Sequence, residues 1–86
     1  MAVLSKFHGI VIQMLSARPF APRFHAIYGP SELIVQINPP SIISGEAPPH
    51  IREMVLEWAE YHRQELLEAW QDCQAAHTPP SIDPFQ

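Results

Sequence analysis

Arg23-Phe24-His25-Ala26-Ile27-Tyr28, then Gly29-Pro30-Ser31, then Glu32-Leu33-Ile34-Val35-Gln36-Ile37-Asn38, is the stretch that decides the fold. Apolar side chains alternate on both sides of a Gly-Pro-Ser turn, which predicts two antiparallel strands. Phe24, Ala26 and Tyr28 share one face of the first strand, and Arg23, His25 and Ile27 share the other. In the second strand Leu33, Val35 and Ile37 alternate against Ile34 and Gln36.

Working outward, residues 7–15 are rich in β-branched side chains and read as an earlier strand, with Ile10, Ile12 and Met14 opposite Val11, Gln13 and Leu15. Residues 16–22 read as a loop. Asn38-Pro39-Pro40-Ser41 turns the chain again, and Ile42-Ile43-Ser44 offers a short fourth strand before Gly45. Ten prolines fall between these segments and punctuate them, because proline lacks a backbone donor. Short turns favour an antiparallel meander.

From Pro49 to Gln74 there is no internal Gly or Pro. Pro48-Pro49 suits a helix start, where the first N–H has no intrahelical partner. Ile51, Val55, Trp58, His62, Leu66, Ala69 and Cys73 recur at spacings of three and four, a single stripe widened by Ala59 and Trp70. A helix of about 25 residues spans roughly 37 Å, against roughly 20 Å for a strand of six or seven residues. Its last two turns, with Trp70, are therefore expected to overhang the sheet. The expectation is an α+β fold: a three- or four-stranded antiparallel meander with one long C-terminal helix on one face. Residues 1–78 read as one domain and 79–86 as a Pro-rich tail, with Ile82 and Phe85 tucked against the fold.

Eighty-six residues allow one modest core and exclude a doubly wound nucleotide-binding fold or a barrel. The net charge of −4 is unevenly shared. Residues 1–45 set Lys6, Arg18 and Arg23 against Glu32, whereas residues 46–86 set Arg52 and Arg63 against eight carboxylates. That is +2 and −6. Nucleic-acid binding needs a basic footprint, so the overall sign argues against it. No apolar run approaches the roughly 18 residues of a membrane span. The first residues show no secretory pattern, and the single Cys73 makes no internal disulfide. A cytoplasmic protein, without metal or cofactor, is the expectation.

Two stretches carry a resemblance. One is Phe24-His25-Ala26-Ile27-Tyr28-Gly29. The other is Gly45-Glu46-Ala47-Pro48, followed by Glu57-Trp58-Ala59-Glu60-Tyr61-His62-Arg63-Gln64-Glu65-Leu66-Leu67 and Trp70. Together with Lys6–Ile12 they resemble the small bacterial domain-of-unknown-function family numbered 4160. The resemblance implies a small α+β domain and an association with toxin–antitoxin-like gene pairs; it implies no reaction. The family's strand motif is Asn-Pro-Pro-His-Phe-His, where this chain has Phe20-Ala21-Pro22-Arg23-Phe24-His25. Arg23 replaces the first histidine, so a two-imidazole metal site is not supported.

Arg23 and His25 share one strand face about 6–7 Å apart, where a guanidinium and an imidazole can hold an anion and move a proton. Gln13 and Gln36 are expected on the same face. The plain alternative is the solvated face of a half-buried sheet. Ile27 and Ile34 speak against it, because apolar residues among Gln, Arg and His look like a surface for a partner or a second copy. His62, within the helix stripe, reads as a buried histidine bonded to a strand carbonyl or a tyrosine. A sharper alternative has it converging with His25 as an acid–base pair. Trp70 reads as core or as an exposed aromatic anchor. The function expected first is a protein-binding module, as one member of a toxin–antitoxin-like pair. A small RNA-acting toxin or hydrolase using His25, Arg23 and His62 is the alternative, and a homodimeric structural protein the third.

Overall fold

The computed structural model describes residues 2–14 and 22–84. Five strands come first: β1 (Ala2–Phe7), β2 (Ile10–Met14), β3 (Arg23–Tyr28), β4 (Ser31–Gln36) and β5 (Ser41–Gly45). Two helices follow, α1 (Pro49–Tyr61) and α2 (Arg63–Gln74). The strands form one antiparallel sheet in the order β1-β2-β3-β4-β5, so β3 lies at its centre. The α+β class and the meander stand, but the sheet has five strands rather than three or four, and the helix is two helices.

The extra strand comes from a turn within the expected first strand. His8 and Gly9 both have positive φ, 48° and 80°, and Phe7 pairs with Ile10 across them. Two left-handed residues make the tight hairpin whose twist matches antiparallel strands. Residues 2–6 hide their strand character because the β1–β2 register shifts between Val3 and Ser5. The bulge leaves Leu4 and Ser5 both buried, which breaks the alternation. The β3–β4 hairpin turns at Gly29-Pro30, between Tyr28 and Ser31.

One face of the sheet is core. Ile10, Ile12, Met14, Phe24, Ala26, Leu33 and Val35 are all at most 2% exposed, each contributing about 1.5–3 kcal/mol of burial for the larger side chains. The whole helix stripe meets them: Ile51, Val55, Trp58, Ala59, His62, Leu66, Ala69, Trp70 and Cys73 are buried. Trp58 is the hub, with its ring 5.4 Å from Phe7 and 5.9 Å from Phe24.

The helix breaks at His62, whose φ of −107° and ψ of 23° leave the α region. Two ladder bonds persist there, from His62 N–H to the Trp58 carbonyl and from Leu66 N–H to the His62 carbonyl. With 13 residues, α1 is about 20 Å long, matched to the strands. The break lets α2 stay on the core, so Trp70 is only 7% exposed and does not overhang. The tail is fastened too. Ile82 is buried and its N–H donates to the Leu4 carbonyl, while Trp58 Nε1 donates to the Asp83 carbonyl. The tail thus covers part of the β1 edge. Phe85, expected to tuck in beside Ile82, and Leu15 and residues 16–21 of the expected loop lie outside the described residues. Among the described residues no helix is long and apolar enough to cross a membrane.

Candidate functional site

The face of the sheet away from the helices carries most of the candidate residues. Cα pairing sets them in rows across the strands. One row runs Val3, Gln13, His25, Ile34 and Ser44. Beside it runs Lys6, Val11, Ile27 and Glu32, and on its other side Arg23, Gln36 and Ser41. Gln13, Arg23, His25, Ile27, Ile34 and Gln36 therefore share one surface, as the alternation in the sequence implies. All six are half-buried. Val11, Ile27 and Ile34 lie outside the hydrophobic core cluster and the side chains packed against it. No described helix covers them.

Two of these polar side chains are held. His25 Nδ1 lies 2.6 Å from Glu32 Oε2. A carboxylate only accepts, so Nδ1 is the donor of this contact. Glu32 pairs with Ile27, so the contact is diagonal across the β3–β4 hairpin. The His25 side chain is 16% exposed and the Glu32 side chain 53%. Gln36 Nε2 donates to the carbonyls of Asn38 and Pro39, at 3.3 and 3.2 Å, which ties it to the β4–β5 loop.

His62 and Trp70 are elsewhere. His62 is buried on the helix side of the sheet, its ring 5.2 Å from that of Trp58, and its Nδ1 is 2.6 Å from Glu65 Oε1. The expected partner was a strand carbonyl or a tyrosine; the actual one is a carboxylate three residues along. The sheet separates His62 from His25, so the two do not converge. Trp70 belongs to the core rather than to any exposed anchor. Tyr61, by contrast, is 85% exposed, with its ring edge-on to His62 at 5.0 Å.

Glu32 and Glu65 are the polar residues that sequence reasoning missed. Each had a signal: Glu65 sits three residues after His62 on a helix, and the Gly29-Pro30 turn fixes Glu32 diagonal to His25. Cys73 is buried, and burial pushes its thiol pKa up, with Asp72 adding to the shift. It is not an activated nucleophile. Among the described residues no group of three or more His, Cys, Asp or Glu is placed to hold a metal ion. The arrangement offers a mixed apolar and polar surface with one oriented imidazole.

Residues 9–71 match the family described as "Domain of unknown function (DUF4160)". That span is most of the chain, and the chain belongs to this family. It takes in β2–β5, α1 and the first nine of the 12 residues of α2, hence every candidate site residue from Gln13 to Trp70, and leaves out β1 and the tail. No curated protein and no solved structure matches the chain.

Proposed function

We propose that this family member is a protein-binding module that engages its partner through the open sheet face. The observation that carries the reading is the composition of that face. A solvated sheet face alternates to polar residues, whereas here Val11, Ile27 and Ile34 stand among Gln13, His25, Arg23 and Gln36 with no described element covering them. Apolar centres with polar surroundings are the usual makeup of an interface. The family resemblance supports the partner being the other member of a toxin–antitoxin-like pair, in the cytoplasm. The test is capture from host lysate at moderate salt. The reading expects one stoichiometric protein, lost with Ile27→Asp or Ile34→Asp in chains that keep their circular dichroism. Retention by both folded variants overturns it.

One observation favours a second reading, a small RNA-acting hydrolase. The Glu32 carboxylate orients the His25 ring, and Arg23 lies on the same face. An imidazole so held can act as a general base beside a cation that binds phosphate. Co-eluting RNA that is cleaved, with both binding and cleavage lost in His25→Ala, would support it. The net charge of −4 weighs against it.

A further inference from the structure

We infer that the open sheet face docks on the same face of a second copy of this chain, about a two-fold axis that runs across the strands over the Gln13–His25–Ile34 row. The inference rests on reading this face as an interface and assigns its occupant in the isolated chain, before a protein partner displaces the second copy.

Charge selects the face. Residues 46–86, which form the helix layer and tail, carry −6, while the open face carries Lys6 and Arg23 against Glu32. Stacking two open faces sets the acidic layers outermost, about 30 Å apart for sheets and helices packed at about 10 Å per layer. That exceeds the Debye length of about 8 Å several-fold, so their repulsion is screened. Docking through the helices would bring like charges together.

The edges are poor alternatives. The tail covers part of β1 through the Ile82–Leu4 bond. At the other edge the β4–β5 register shifts beside Ile43. A bulge there twists the edge away from a further strand.

Charge also selects the axis. Arg23 lies on the central strand. A two-fold axis running along the strands would set Arg23 on the second copy's Arg23. An axis across the strands inverts the row order instead. The Arg23–Gln36 row then lies over the second copy's Ile27–Glu32 row, and each Arg23 lies diagonal to the other copy's Glu32, one strand away. Ile34 meets its own copy near the axis.

Size sets the strength. Five strands at about 4.8 Å, each of five or six residues at about 3.3 Å, make a face of roughly 20 by 20 Å. The pair would bury on the order of 800–1,000 Å², the low end for a specific interface. A weak, reversible dimer follows.

The test is sedimentation equilibrium of the full chain from about 1 μM to several hundred μM, with circular dichroism on every sample. The wild type is expected to pass from monomer to dimer over that range. Ile34→Asp is expected to stay monomeric while folded. Arg23→Glu and Glu32→Arg should each weaken the dimer about tenfold. An equimolar mixture of the two should regain wild-type association, because both contacts then join opposite charges. If Arg23→Glu does not fold, Glu32→Arg and Ile34→Asp still decide the matter. A wild type that is monomeric throughout, a dimer that Ile34→Asp leaves intact, or a mixture no tighter than its parts overturns the inference. A monomeric chain that still captures a partner, and loses it with Ile34→Asp, overturns self-docking alone and leaves the binding-module reading in place.

Discussion

His25 Nδ1 lies 2.6 Å from Glu32 Oε2, a diagonal contact across the β3–β4 hairpin on the side of the sheet that no described helix covers. The contact fixes the imidazole on a surface that also carries the β-branched Val11, Ile27 and Ile34, the amides of Gln13 and Gln36, and Arg23. It is half-exposed on the Glu32 side, so its role is to shape the surface more than to hold the fold. Glu32→Gln should therefore change stability by less than about 1 kcal/mol in urea unfolding. Partner capture should fall with Glu32→Ala, which removes the acceptor that holds the His25 ring.

The tail belongs to the fold energetically. Trp58 is 1% exposed and its Nε1 donates to the Asp83 carbonyl. A chain ending at Thr78 leaves that buried N–H without its acceptor, at about 1–3 kcal/mol, and loses the burial of Ile82. It should be less stable by at least about 2 kcal/mol, read as a lower urea midpoint with the fluorescence of Trp58 and Trp70 as the probe.

Cys73 should be slow to react. Burial raises its thiol pKa, and the thiolate is the reactive form. Labelling by a disulfide reagent near pH 8 should be slow in the native chain and fast in urea. The folded-state pKa lies above the unfolded one, so the folded state holds the proton more tightly. This contribution to stability is full below the unfolded pKa and is lost as pH rises through the folded value. Native labelling should accordingly accelerate only at more alkaline pH than labelling of the unfolded chain.

Gly45 closes the β4–β5 pairing opposite Leu33, with φ of 95°. A Cβ there would run into the Glu32 carbonyl and press on Leu33 Cα. Both atoms belong to backbone and cannot swing aside. Gly45→Ala should destabilise the domain by about 2 kcal/mol or more, seen in thermal unfolding.

Much of this was legible from periodicity. The alternation of Phe24 and Ala26 with His25 and Ile27, and the Ile51-to-Cys73 stripe, each name their buried face, because burial follows the geometric period of the backbone. Where a local feature interrupts the period, the sequence misleads. The bulge near Leu4 masks β1, a left-handed His8 hides the first hairpin, and the break at His62 returns Trp70 to the core. The surface shared by Gln13, Arg23, His25, Ile27, Ile34 and Gln36 was readable from alternation within each strand, but the grip of Glu32 on His25 requires the strand register. What docks on that surface is not encoded in one chain's periodicity at all.

The most direct measurement is partner or self association of the Ile27→Asp/Ile34→Asp double variant, with circular dichroism taken on the same sample. The account predicts a native spectrum and no association, because both side chains lie outside the core cluster. An unfolded chain would show this face to be ordinary core, and a folded chain that associates as the wild type does would show that the interface lies elsewhere.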